Sequence, residues 1–313
     1  MIEYLKYRLD VFLKKQFDNT SRETIQKWIK GGLVKLNGQV QTSTKILVSS
    51  DDDIVVDKIP EQKITISPIK NNLKVYFQDE HIIVIEKTAD LISHPAPSIP
   101  KDKHTLVNYV LFHSKKLADT AGNNRPGVVH RLDKDTSGVM VFAKSNEAYY
   151  SLIKMFEKHK MRREYKAVVW NWITEDQIYK DPLGPDPNDF RKRTVRIDGV
   201  KAETIVQPVK VFGKERISLV NCTLHTGRTH QIRVHLAYHG FPVVGDPVYG
   251  SDQRYLKNVN DNDLLKIAVK DNSRQLLHAH TLGFKHPITK EEMLFHSDIP
   301  QEFYDILDKC EDV

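Results

Sequence analysis

Cysteine is scarce in this chain. Cys222 and Cys310 are the only two in 313 residues. They form no Cys-x-x-Cys pair and no zinc-type spacing, which excludes a disulfide framework and fits a reducing compartment. Long apolar runs are absent too. None approaches the ~18 residues a spanning helix needs, and charges are scattered through Met1–Asp10, so no signal-type apolar segment is read there. The expectation is a cytoplasmic protein without membrane contact. No Walker or Rossmann glycine pattern occurs, so no nucleotide or redox cofactor is expected. His225, His230, His235 and His239 invite a metal, but there is no His-Glu-x-x-His and no cysteine partner, so none is expected.

What is present is an ordinary globular composition, 40% hydrophobic and 28% charged, long enough for two domains. A formal net charge of +6 admits a polyanionic partner without requiring one. Leu5, Leu9, Phe12 and Leu13 recur at helical spacing. Ser21 suits an N-cap for a second helix bearing Ile25, Trp28 and Ile29, which Lys30-Gly31-Gly32 would stop. Val34–Val40 then reads as a hairpin turning at Asn37-Gly38, with a further strand near Asp53–Val56. Arg8, Arg22, Lys27, Lys30 and Lys35 give this unit a basic face, which is either a solvated surface or a grip on phosphates. Pro60 and Pro68 bracket a polar stretch, so the predicted organisation is a domain over 1–59, a linker over 60–72 and a domain over 73–313.

The larger domain reads mainly as strands: Val75–Phe77, His81–Ile85, Val139–Ala143, Tyr165–Trp170 and Ile217–Leu224. Tyr149, Leu152, Ile153 and Phe156 mark one face of a helix that Asn146 would cap, and Thr229–Gly240 reads as another helix with Ile232 and Leu236 inward. Without a βαβ rhythm, the fold class is α+β: a mixed, mainly antiparallel sheet with flanking helices. The densest chemistry is His130-Arg131-Leu132-Asp133-Lys134-Asp135-Thr136-Ser137-Gly138. By local spacing alone, its two aspartates are turn caps.

That segment resembles the active-site motif of the RluA-type pseudouridine synthases, and further motifs follow in order. Glu86-Lys87 through Ser93-His94-Pro95 resembles the preceding one, with Thr88 where the family has Pro and Asp90 where it has Gly. Arg163-Glu164-Tyr165 resembles the Lys-x-Tyr motif, with Arg for Lys. Leu224–His235, Gly245–Gly250 and Leu277-His278-Ala279 complete the series, so the similarity spans nearly all of 73–300. Arg8-Leu9-Asp10, Ser21-Arg22, Trp28–Val34 and Leu36-Asn37-Gly38 are similar in order to the S4-type RNA-binding domain.

The resemblance implies an isomerase acting on uridines of structured RNA, most simply large-subunit ribosomal RNA, without cofactor and as a monomer. It also implies a central RNA-binding cleft. Transfer RNA is the alternative substrate; a non-catalytic RNA-binding or ribosome-assembly protein retaining the fold is the alternative class. By resemblance Asp133 is the catalytic carboxylate, Arg228 its cationic partner and Tyr165 the tyrosine against the target base. Arg131 fills the stack the base vacates, and His130, Arg8, Arg22 and Lys30 contact RNA. The chemistry suits these types: breaking C1′–N1 builds positive charge on the ribose, which a carboxylate stabilises or captures. A base inside folded RNA must also be extruded first. Lys158–Arg163 and Arg191-Lys192-Arg193 would extend the RNA track.

Overall fold

In the computed structural model the chain divides into two compact units, Met1–Lys63 and Ile64–Val313. The described residues are 7–17, 22–49, 51–57, 66–95, 103–120, 125–189, 191–213, 216–250, 252–257, 264–272 and 274–310. Ser21, the expected helix cap, lies outside them.

The first unit runs β1 (Tyr7–Arg8), α1 (Leu9–Gln16), α2 (Arg22–Lys30), β2 (Val34–Leu36), β3 (Gln39–Gln41), β4 (Leu47–Val48) and β5 (Ile54–Val56). Leu9 and Leu13 of α1 and Ile25, Trp28 and Ile29 of α2 bury their apolar faces together with Val34 and Val48. Gly32 stops α2 in the left-handed region at φ 72°, and Leu33 N–H returns to the Trp28 carbonyl. Asn37 and Gly38, both at positive φ, turn β2 into β3 as their sequence demands. The buried Asp10 carboxylate accepts from Arg8 at 3.1 Å, Arg22 at 3.0 Å and Gln26 at 2.7 Å. Arg8 and Arg22, expected on RNA phosphates, therefore already have an internal partner: a carboxylate taken out of water must be paired. Lys30 is exposed.

The second unit contains β6 (Val75–Gln78), β7 (Ile82–Lys87), α3 (Leu106–Ser114), β8 (Ser137–Ala143), α4 (Asn146–Glu157), β9 (Arg162–Trp170) and β10 (Gln177–Tyr179). Then come β11 (Leu183–Pro185), β12 (Arg193–Val195), β13 (Thr204–Phe212), β14 (Ile217–Leu224), α5 (Gln231–Tyr238), α6 (Asp252–Leu256), α7 (Leu264–Asp271), β15 (Leu277–Lys285), β16 (Glu292–His296) and α8 (Gln301–Leu307). One sheet orders its strands β10-β13-β14-β9-β15-β8-β7-β6, with β16 also on β15. The expected α+β class, with a mainly antiparallel sheet, is what forms.

Both faces of this sheet are covered. Along β7 and β8 the residues Ile83, Ile85, Met140 and Phe142 enter one core, while Ile82, Val84, Val139 and Val141 enter the other. That is why these strands read as unbroken apolar runs. Ser145, rather than the expected Asn146, caps α4 by accepting the Ala148 N–H; Asn146 instead bonds Asp119. Of the expected linker, residues 60–65 lie outside the described residues, Ile66 packs against the larger core, and the Asn71 amide reaches the Tyr109 carbonyl.

The sheet's geometry singles out one point. β15 pairs parallel with β8 through His278–Ser137 and Ala279–Gly138, then with β16 from Thr281 onward. Gly138 sits there at φ 122°, where an added Cβ would lie 2.2 Å from the Ala279 carbonyl oxygen. Only glycine permits that approach. The Asp133 segment enters β8 at this crossing.

Candidate active site

The segment before β8 is a polar turn, its Asp133 carbonyl accepting the Thr136 N–H. Its backbone is held from behind at almost every residue. Ser93 Oγ donates to the Leu132 carbonyl at 3.0 Å, and Arg274 donates to the Asp135 carbonyl at 3.1 Å. Gln275 donates to Thr136 Oγ1, and Ser137 Oγ meets His278 Nδ1 at 2.8 Å. Lys87 does most: its buried ammonium donates to the carbonyls of Thr88, Lys134 and Thr136 at 2.6–2.8 Å. Burial pushes Lys87 down to about 7, against the pull of Asp135 and Asp133. Sequence reasoning placed Lys87 in a motif without giving it a task.

The departures at Thr88 and Asp90 fit this frame. Thr88 supplies its carbonyl to Lys87, a contact any residue makes. Asp90 takes φ 61°, a left-handed conformation that aspartate tolerates better than most residues, and pairs with Lys134 at 2.6 Å. Neither change disturbs Asp133.

Asp133 itself is mostly buried, its carboxylate Oδ2 accepting from Nη1 of Arg233 at 2.9 Å. Arg233 is 5% exposed and also grips Asp246, through Nε at 2.7 Å and Nη2 at 2.8 Å. Asp246 is aimed by the N–H groups of Val248 and Tyr249. Burial works against the Arg233 charge, but Asp246 and Asp133 outweigh it and raise the guanidinium above its ordinary value. This fork-to-carboxylate pairing is the geometry arginine is built for.

The partner of Asp133 is thus Arg233 and not Arg228. Both lie in the same motif. Arg228 precedes α5, and its Nε goes to the Lys201 carbonyl at 3.0 Å, leaving the side chain exposed at the cavity mouth. Arg233 lies in the first turn of α5, within the stretch Gln231–Leu236 that is buried throughout. The signal for it was an arginine inside a buried helical stretch, with Asp246 as a second carboxylate needing a cation.

Tyr165 lies on β9 opposite Cys222 of β14 and Ala279 of β15, and lines the same cavity. Burial pushes its phenol up to about 12, with Arg163 opposing and Asp133 adding, so it is protonated at neutral pH. Arg131 is exposed at the rim. His130 does not face outward as a free contact. Its Nε2 accepts the Val141 N–H at 3.1 Å, its ring stacks on Phe156, and burial with nearby Arg163 pushes it down to about 3. Arg163 is buried as well, donating to the carbonyls of Leu224 and His225, so it is a structural tie and not part of a basic track. Arg162 and Arg191 pair with Glu164 and Asp189.

Three of the four clustered histidines are held by hydrogen bonds: His230 to Tyr249, His235 to Thr204 and the Asp181 carbonyl, His239 to the Asp181 carboxylate. The cavity, of about 480 Å³, joins Asp133, Tyr165 and Arg233 with apolar Leu224, Ile232 and Leu277.

Comparison with known proteins shows the family. A family model described as RNA pseudouridylate synthase matches residues 81–238, and one for the S4 domain matches residues 8–54. The class is a uridine-isomerising enzyme with an S4 module. An RNA pseudouridine synthase of Aquifex aeolicus is 36% identical over 303 residues, 96% of this chain and 93% of that protein. Ribosomal large subunit pseudouridine synthase D of Xanthomonas campestris is 36% identical over 295 residues, 94% of this chain and 86% of that protein. The structure of human RNA pseudouridylate synthase domain containing 1 shares the fold, with a TM-score of 0.56 at 21% identity, covering 77% of this chain and 89% of its own. The chain belongs to the RNA pseudouridine synthase family, of the RluA type. Among the described residues, no helix is long and apolar enough to cross a membrane.

Proposed function

We propose that this enzyme isomerises uridine to pseudouridine in large-subunit ribosomal RNA, with Asp133 as the reacting carboxylate. The observation that carries the reading is the ionic lock on Asp133: a carboxylate in a cavity of about 480 Å³ whose Oδ2 is held by Arg233, leaving Oδ1 without that contact. C1′–N1 breaks, the uracil turns, C1′–C5 forms, and the C5 proton is lost as N1 gains one. Asp133 stabilises or captures the ribose cation, and Arg233 holds its Oδ2 in place. Tyr165 lies against the base and Arg131 fills its place in the stack. Lys30 and the S4-type unit contact the RNA backbone.

The target reading is supported by relatives whose names specify the large ribosomal subunit. The rearrangement is intramolecular and redox-neutral, so it calls for no cofactor; a monomer acting in the cytoplasm is part of the same proposal. The test is Asp133→Asn on unmodified large-subunit RNA. Pseudouridine formation is lost while RNA affinity is kept; unchanged modification overturns the assignment. Modification by the wild type of transfer RNA alone would redirect the target.

A further inference from the structure

The wall of the cavity beside Asp133 holds an imidazole for which the chemistry above has no use. His230 opens α5 in the left-handed region, at φ 60°. Its Nε2 lies 3.9 Å from Asp133 Oδ1, while its Nδ1 meets the Tyr249 hydroxyl at 2.8 Å. That hydroxyl also accepts the backbone N–H of Arg193 at 2.8 Å. The Tyr249 ring lies under the Arg233 guanidinium and edge-on to His230.

These contacts favour one placement of the protons. The phenol oxygen is occupied by the Arg193 N–H, so its own proton is free to point at His230 Nδ1. The neutral imidazole then carries its hydrogen on Nε2, towards the carboxylate. The other tautomer would aim a bare lone pair at Asp133 Oδ1, which is repulsive. An imidazolium is disfavoured by burial and by Arg233 and Arg193, despite the pull of Asp133 and Asp246, and His230 is pushed below its ordinary value.

We propose that His230 is a positioning residue for Asp133, held by Tyr249 and the Arg193 N–H in the tautomer that points its Nε2–H at Oδ1. At 3.9 Å this is beyond hydrogen-bond length, so the lone pairs of Oδ1 stay available. The N–H dipole still turns its positive end towards Oδ1. Arg233 fixes Oδ2, and the two oxygens acquire different tasks: one anchored, one poised and reactive. The inference rests on Asp133 being the reacting carboxylate, and the tests separate the two.

The first test needs no RNA. In the full chain labelled with 15N-histidine, NMR of the His230 ring shows a neutral imidazole protonated at Nε2. Tyr249→Phe moves the population towards Nδ1. A wild-type ring protonated at Nδ1 overturns the proposal. The second test is kinetic. His230→Asn accepts positive φ readily but places its amide near Nδ1, too short to face Asp133. His230→Gln reaches the position of Nε2. In single-turnover assays the Asn variant loses kcat about threefold, less than a made hydrogen bond would bring because Nε2 stands 3.9 Å from Oδ1, with RNA affinity unchanged. The Gln variant recovers most of that loss. Equal loss in both variants, or a loss confined to affinity, assigns His230 a merely structural or binding role. If wild-type enzyme formed no pseudouridine, the functional reading would fail while the NMR result still reported the tautomer.

Discussion

Replacing Arg233 by Met separates the structural assignment from the one that sequence order suggests. The guanidinium makes three charge-assisted hydrogen bonds at 2.7–2.9 Å, one to Asp133 and two to Asp246. Met fills much of the volume but leaves two mostly buried carboxylates without their cation. Breaking a buried pair from one side costs about 3–5 kcal/mol, because the orphaned charge dominates over the lost contact. Asp246 retains the N–H groups of Val248 and Tyr249, which offset part of this, so the lower end of that range is expected. Arg228→Met, in contrast, removes an exposed side chain with one backbone acceptor, and its stability should shift by less than about 1 kcal/mol. Urea denaturation followed by near-UV circular dichroism reads the first quantity. Single-turnover pseudouridine formation reads the second: Arg233→Met falls by about a thousandfold or more, the scale of losing an electrostatic group at the reacting charge. Arg228→Met keeps chemistry within about tenfold, its loss appearing in RNA affinity. The reasoning is refuted if Arg228→Met abolishes chemistry while Arg233→Met is stable and active.

Other expectations concern the frame around the site. Lys87→Met strands three carbonyls beneath the Asp133 turn and lowers both stability and turnover, by about 3 kcal/mol in denaturant melts. Because burial depresses Lys87 to about 7, the unfolded chain binds the extra proton between there and the ordinary lysine range. Stability of the wild type should therefore rise with pH over that window more steeply than that of Lys87→Met. In the first unit, burial would raise Asp10, but hydrogen bonds from Gln26, Arg22 and Arg8 outweigh it and hold the carboxyl low. Its stabilising contribution is present above the ordinary aspartate range and lost as pH falls through the lowered value; acid melts of Asp10→Asn should lack that transition. Asp90→Gly restores the residue usual in the family and removes an exposed ion pair, so stability and turnover should stay within about 1 kcal/mol and twofold.

How much could be read in advance depended on whether the deciding contacts were local. The Asn37-Gly38 turn, the Gly32 stop and the apolar runs of β7 and β8 follow from neighbours in sequence, and all formed as read. Asp133 and Tyr165 stood out through motifs, and the cavity brings them together. The pairing of Asp133 was different. Arg228 and Arg233 are five positions apart in one motif and both line the cavity, and only the packing of α5 decides which of them reaches Asp133. The residues that restrain the Asp133 turn come from Lys87, Ser93, Arg274, Gln275 and His278, distributed over nearly the length of the domain. Their roles exist only once β15 crosses β8. Likewise, Arg8 and Arg22 looked like phosphate ligands because the burial of Asp10 between them is a tertiary fact.

The measurement that bears most directly on the central claim is a map of pseudouridines across total RNA from cells lacking this gene, complemented by wild-type protein or by Asp133→Asn. At least one pseudouridine in large-subunit ribosomal RNA should vanish on deletion, return with the wild type and stay absent with Asp133→Asn. Restoration of the same site by Asp133→Asn, or the loss of no site on deletion, would contradict the account.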